Sequence, residues 1–373
     1  MPPKIVPPSG NGAAQVLMLL FYRTEQKIIR EINRKRQAGY VDYAEIAALM
    51  RIRKDLARMV QGAEHYVPLA IEHEFYTGEI ARRAYKAARE AVNPGRTLAI
   101  EQLTDNLLGE IVEASQTAYR SAEKALYLIG RPEPDIFRTE GITKAAEALT
   151  EGTGALRQTP AFKAALEQKG ITAFVDKSGR EWSLSDYGNM AVRTTVRQAQ
   201  VSAVLTEDEW DLYQITKIGT TCPVCAIYEG RVYSKSGTNP NYPPLAAAFG
   251  KIDPAGPNDL ANTFLNIHPN CLHSIRKFTE GSKTDKQLEK IRRFSSFETN
   301  PPDHDPRSKK QIEAYRQKER NRAKLRDDFK QFRKYRAAGV EGFPKTFETF
   351  RKHKEAGDEK YKAWVSAYRK AVK

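Results

Sequence analysis

Five residues in two short clusters carry the residue types most suited to chemistry in this chain. Thr221-Cys222-Pro223-Val224-Cys225 places two sulfurs on one tight turn, and His268-Pro269-Asn270-Cys271-Leu272-His273 adds a third sulfur and two imidazoles. All three cysteines of the protein and two of its six histidines fall in these positions. Zn²⁺ takes four nitrogen or sulfur ligands in a tetrahedron, and paired C-x2-C and H-x2-C motifs on separate segments are a common way to supply them. Cys222, Cys225, His268 and Cys271 are the expected ligands, with His273 as the alternate nitrogen. Four protein donors close the site, so the expected zinc is structural. The competing readings are three cysteines packed as small apolar groups and a redox C-x-x-C. The second lacks a βαβ neighbourhood and leaves the downstream cluster unexplained. A catalytic zinc site is the remaining reading of these residues. No H-x-E lies upstream of the cysteine pair, where such an enzyme would have it, and the chain has no H-E-x-x-H.

The second chemical feature is charge. The 373 residues include 61 Lys and Arg against 46 Asp and Glu, a net of +15. Residues 281–373 alone hold 27 basic and 14 acidic residues, so nearly the whole excess sits in the last quarter. Such asymmetry points to a polyanionic partner, nucleic acid before membrane. The basic positions run Lys309, Lys310, Arg316, Lys318, Arg320, Arg322, Lys324, Arg326, Lys330, Arg333, Lys334 and Arg336. Residues 307–338 contain no Gly or Pro and read as one long helix, with Ile312, Tyr315, Leu325, Phe329 and Phe332 as a broken apolar stripe. No base-reading motif is present, so double-stranded DNA would be met without sequence preference. The bland alternative is a pair of solvated helices packed on each other or on a partner protein.

These clusters must be positioned by the elements around them. Residues 15–36 read as a helix, Asp42 with Glu45 as the capped start of a second, Pro68–Val92 as a third and Leu98–Ile129 as a fourth. Shorter helices are predicted near 141–151 and 159–168. From Gly170 the pattern changes to a hairpin, Ile171–Asp176 and Glu181–Leu184 around Lys177-Ser178-Gly179-Arg180. A helix from Tyr187 to Leu205, a strand over Trp210–Ile218, a long Gly/Pro/Asn-rich loop over 236–263 and a strand over Ser274–Phe278 follow, with a last helix near 355–372. On the helix from Tyr187, the side chains of Tyr187 and Thr194 lie two turns apart on one face, and Arg193 could hold the zinc-bearing loop or meet phosphate. Trp182 and Trp210 are expected in the core. The longest apolar run, Val16–Phe21, is far short of the roughly 20 residues that span a membrane. The sparse, odd cysteine count fits a reducing compartment. The expected class is mainly α with a small α+β zinc-stabilised module. Its parts are a flexible arm (1–14), a helical domain (15–168), an α+β zinc-binding module (169–280) and a basic helical arm (281–373).

The order Gly170-Ile-Thr-Ala-Phe-Val-Asp-Lys-Ser-Gly-Arg-Glu-Trp182, Tyr187-Gly-Asn-Met-Ala-Val-Arg193-Thr194-Thr195, Thr221-Cys-Pro-Val-Cys225 with Glu229-Gly-Arg-Val-Tyr233, and His268-Pro-Asn-Cys-Leu-His273 resembles the phage minor capsid protein 2 family, a branch of the Mu F-like minor head proteins of tailed phages. Leu272 departs from the family, which commonly has Arg there. The resemblance implies a structural minor head protein with no enzymatic activity, found in the virion at the capsid interior or portal vertex and in the host cytoplasm during assembly. The portal protein, the major capsid or other head proteins and packaged double-stranded DNA would be its partners, with no membrane. Head morphogenesis and DNA delivery would be its roles. The alternative is a zinc-dependent enzyme acting on nucleic acid, a nuclease or a transferase like the ADP-ribosylating extensions of some Mu F-like proteins, although no local motif supports the latter.

Overall fold

A computed structural model describes residues 11–38, 42–77, 94–128, 171–176, 179–206 and 210–371. Residues 1–10 of the expected arm (1–14), the helices near 141–151 and 159–168, and the end of the third expected helix lie outside the described residues; the arm's last residues, Gly12–Ala14, are already helical. Three long helices, α1 (Gly12–Ala38), α2 (Asp42–Thr77) and α3 (Pro94–Leu128), pack side by side. Leu17, Phe21, Ile28 and Ile32 of α1 meet Ile52, Met59, Val67 and Ile71 of α2 and Leu107, Ile111 and Leu126 of α3 in one core. The helical spacing of these apolar residues is what makes each helix amphipathic.

The expected break at Pro68 does not occur, and α2 runs straight through it. An interior proline costs about 3 kcal/mol in an isolated helix. Here Val67, Ala70, Ile71 and Phe75 on either side are buried, and each large apolar side chain so buried returns about 1.5–3 kcal/mol. Tertiary packing outweighs the local penalty.

The hairpin forms where the alternation places it. Strands β1 (Thr172–Val175) and β2 (Glu181–Ser183) are antiparallel and lie against α3. Helix α4 (Leu184–Thr206) follows directly and is the link between two cores. Its first four turns, with Leu184, Tyr187, Val192, Val196 and Ala199, belong to the helical core. Its last turn, with Val201, Val204 and Leu205, belongs to a second core built on the sheet that follows. The cores therefore cut across the expected 169–280 module, because the hairpin and most of α4 pack with the helices before them.

That sheet has the order β4–β3–β5, all antiparallel: β3 (Leu212–Ile215) at the centre, β4 (Val232–Ser234) and β5 (Ile275–Lys277) at the edges. Tyr213, Ile215, Tyr233 and Ile275 face the second core. Leu212, Val232 and Phe278 face away and are covered by Leu288 and Ile291 of α6 (Asp285–Ser295). Neither β4 nor α6 is among the sequence expectations. For β4, three residues are too few to show alternation. Helix α6 opens on a capping box, Thr284 with Gln287, and that signal was legible. Trp210 departs from the expected core position. It is 38% exposed at the sheet margin, where its indole N–H donates to the Phe278 carbonyl at 3.1 Å.

Helix α7 (Lys309–Ala337) begins on a second capping box, Ser308 with Gln311, and is the expected long basic helix. Its last turns pack Phe332 and Tyr335 against Phe347 and Phe350 of α8 (Phe347–Ala356) and Trp364 of α9 (Glu359–Ala371). One helix was expected over 355–372. That helix is α9, which starts four residues later, and α8 before it is not among the sequence expectations; Gly357, left-handed at φ +61°, ends α8.

Gly188 of α4 marks the closest approach to α1, since a Cβ there would fall on the Phe21 ring. Gly188→Ala should lower stability by about 1–3 kcal/mol, the usual range for forcing extra volume into a packed core. Denaturant unfolding checks this. Phe21→Leu in the same chain should recover part of the loss, whereas additive effects of the two changes would contradict the contact.

Candidate metal centre

The two clusters reach one another through two different turns. Cys222 is the extended N-cap of the one-turn helix α5 (Pro223–Ala226), with φ −72° and ψ 162°. Its sulfur accepts the Cys225 N–H at 3.3 Å, and Pro223 at the first helical position gives up no needed donor. The second cluster turns the other way. The Cys271 N–H donates to the His268 carbonyl at 3.1 Å, and Asn270 is left-handed at φ +60°. Pro at the second position and Asn at the third suit this type II geometry. Thr194 of α4 fastens that turn: its hydroxyl accepts the Asn270 N–H at 3.1 Å and donates to the Met190 carbonyl at 2.8 Å.

The result is a string of five donors joined through Cys225, with the expected set Cys222, Cys225, His268 and Cys271 divided between two trios. His268 Nε2 is 3.2 Å from Cys222 Sγ and 3.0 Å from Cys225 Sγ. Cys225 Sγ is 3.7 Å from Cys271 Sγ, and Cys271 Sγ is 3.5 Å from His273 Nδ1. Two trios share Cys225: one with Cys222 and His268, the other with Cys271 and His273, each with ligand atoms within 4.8 Å of one another. Sulfurs bound to one tetrahedral zinc at ~2.3 Å lie roughly 3.8 Å apart, close to the Cys225–Cys271 separation. The other ring nitrogen of each histidine is also held. His268 Nδ1 lies 2.7 Å from the Pro269 carbonyl, which only accepts, so Nδ1 carries the proton and Nε2 is left for the sulfurs. His273 is buried, with Nε2 3.2 Å from a Glu229 carboxylate oxygen and 3.3 Å from the Thr221 hydroxyl. A carboxylate or carbonyl behind a ligating imidazole is the usual outer support of a metal site.

The electrostatics distribute charge unevenly over the donors. Hydrogen bonding from Cys225 pulls the Cys222 thiol down to about 3 against the opposing cost of burial, and His268 adds to the shift. Cys271 is likewise lowered by a hydrogen bond from Cys225 and by His273. Cys225, between those two sulfurs, is pushed far up and keeps its proton. His268 rises to about 9, chiefly through its hydrogen bond to Cys222. Burial works against His273, yet Cys271 and Glu229 raise it. Three thiolates cannot share this space unless a dication replaces the protons, and three sulfurs with an imidazole suit Zn²⁺.

The other expected site residues are placed as follows. Trp182 is half-buried on β2, donating to Asp176 at 3.1 Å with the Arg180 guanidinium 4.6 Å above its ring. Tyr187 is buried, stacks on Phe174 and donates to Glu110 at 3.3 Å; burial and Glu110 push its phenol up. Thr194, not Arg193, holds the cysteine-bearing turn. Arg193 is half-buried, and burial together with the charge of Arg322 lowers it. On α7, the Lys318 ammonium reaches the Thr220 carbonyl and hydroxyl, each at 3.1 Å. Arg320 pairs with Glu313, and Arg322 with Glu319 at 3.0 Å. Lys334 lies over the Tyr368 ring at 5.2 Å, and Arg333 acts on buried Glu25. Lys309, Lys310, Arg316, Lys324, Arg326, Lys330 and Arg336 are exposed. Glu229, Thr220, Thr221 and Arg307 escaped the sequence reading. Each lies beside a motif residue in space, and only Thr221 and Glu229 were inside a quoted motif.

A mainly helical body, a small sheet with thiols and imidazoles gathered beside it, and a basic helix fixed alongside define the architecture. Residues 139–341, more than half of the chain, match the model of a family described as phage minor capsid protein 2, and the chain belongs to that family. It is thus a structural protein of the phage head, a component of the virion that works among other head proteins. No curated protein and no solved structure matches it. Helices α1, α2 and α3 lie outside the matched stretch. No helix among the described residues is long and apolar enough to cross a membrane.

Thr194→Val should free the Asn270 N–H and loosen the His268–Cys271 turn at a cost of about 1 kcal/mol. Amide exchange over 266–273 should quicken in this variant and stay near wild type in Thr194→Ser. Equal exchange in all three proteins would remove Thr194 from the support of the site.

Proposed function

We propose that this head protein sits at the portal vertex, that one structural Zn²⁺ closes its sheet module, and that α7 lies against packaged double-stranded DNA during head morphogenesis and DNA delivery. Cys222, Cys225, Cys271 and His268 would hold the metal, with His273 as the substitute nitrogen. The metal would supply the positive charge that lets all three sulfurs ionise together, and four protein donors support a structural role. The observation that carries the DNA contact is the run of exposed basic side chains on a 29-residue helix whose other side is fastened to the body. The portal position rests on the family and on the resemblance of the 170–280 motifs to portal-associated minor head proteins.

Two measurements test the metal. Elemental analysis of protein never exposed to chelator should find about one zinc per chain. Cys222→Ser should lose it and lower the melting temperature, since structural zinc contributes an apparent ~10–16 kcal/mol in small peptides. A folded, metal-free preparation would sink the zinc. For DNA, the full chain should bind a mixed-sequence duplex. If about six phosphates are neutralised, log K should fall against log salt with a slope near −5. No measurable binding at ~50 mM salt would leave α7 a protein-docking element. Cross-linking within purified heads should join this chain to the portal protein, and links to the major capsid protein alone would move it away from the vertex.

A further inference from the structure

We propose that α7 meets DNA phosphates through one stripe, Lys309, Arg316, Arg320 and Lys324, turned outward because Arg307 and Lys318 fasten the opposite side of the helix to the carbonyls that lead into the Cys222–Cys225 turn. The proposal rests on the DNA and zinc readings above and names the surface that would do the binding. The joint is built from short contacts. The Arg307 guanidinium donates to the Thr221 carbonyl at 2.8 Å, and the Lys318 ammonium to the Thr220 carbonyl at 3.1 Å. Arg307 is itself fixed, with a side chain only 8% exposed, an ion pair to Asp305 at 2.7 Å and the Tyr315 ring 5.3 Å away. These carbonyls belong to the two residues before Cys222, whose sulfur caps α5 and joins the donor cluster. The start of the basic helix is therefore tied to the candidate metal site.

The tie decides which way the helix faces. At 3.6 residues per turn, Lys309, Arg316, Arg320 and Lys324 stand roughly 120–180° around the axis from Lys318. All four are exposed. Their spacing of seven, four and four residues puts them in one line about 22 Å long at ~1.5 Å per residue. Glu313 is the acid among them and pairs with Arg320, which leaves a surplus of positive charge. Tyr315 and Arg322 lie toward the body, and Arg322 is held by Glu319. Lys318 and Arg322, basic by sequence, thus do different work from the outer stripe. One spans the joint, and the other, though exposed, lies near Arg193 of α4 on the side of the helix that Lys318 fastens.

The test uses the full chain, a mixed-sequence duplex of about 30 base pairs and ~50–200 mM salt, the range over which phosphate contacts show as a salt slope. Lys309→Gln, Arg316→Gln and Lys324→Gln together should reduce the slope by about 2–3, since each lost contact removes up to ~0.9. Arg322→Gln with Arg326→Gln should change it by less than ~1. The reverse pattern overturns the assignment. If the wild-type chain does not bind the duplex at the lowest salt, the DNA reading and this surface both fall. If it binds and the triple variant is unchanged, only the surface falls. The joint is read separately by amide exchange over 309–324, with zinc measured in every sample. Arg307→Met with Lys318→Met should quicken exchange while zinc is retained, and stripping zinc from the wild type should quicken it similarly. Unchanged protection in both cases overturns the joint, and a folded wild type without zinc overturns its metal half alone.

Discussion

Three thiols and two imidazoles fall into two close trios that share Cys225, and the crowding of charge around that sulfur is the constraint on which the sheet module depends. Without a metal, Cys222 and Cys271 take the negative charge and Cys225 must keep its proton between them. A dication removes the conflict by replacing that proton and drawing in one imidazole. The three strands of the sheet are three or four residues long, too short to hold a fold by hydrogen bonding alone. The second core that backs them contains Cys225 and Cys271 themselves. The donor group therefore works as part of the core, and its loss would open the module from inside.

Helix α4 carries this constraint to the rest of the chain. Its early turns are locked in the helical body by Tyr187, Val192 and Val196, with Gly188 allowing α1 to come close. Thr194 reaches the turn before Cys271, and the last turn of α4 enters the second core. On the other side of the donors, Thr220 and Thr221 carry the basic helix. The candidate metal site thus lies between the body and α7.

Much of this was legible in the residues. The period of Leu17, Phe21, Ile28 and Ile32 gives α1, the alternation around Gly179 gives the hairpin, and the clustering of every cysteine with two histidines gives the donors. What escaped has physical causes. Pro68 reads as a break because local propensity does not contain the packing of its neighbours. The three-residue β4 carries no period, and the short α8 spans only ten residues before Gly357 ends it. Arg193 looks like the anchor of the loop because of its reach, yet the short hydroxyl of Thr194, one residue on, has the right position. The joint between α7 and the residues before Cys222 joins segments nearly 100 residues apart, and no spacing rule in the sequence reports it.

The central claim is that a single zinc, bound by three sulfurs and one nitrogen, holds the module closed. X-ray absorption at the zinc edge on the purified full-length protein tests it most directly. The account predicts a first shell of three sulfurs at about 2.3 Å and one nitrogen at about 2.0–2.1 Å. A shell of oxygen and nitrogen alone, as from zinc bound loosely at the surface, would contradict it.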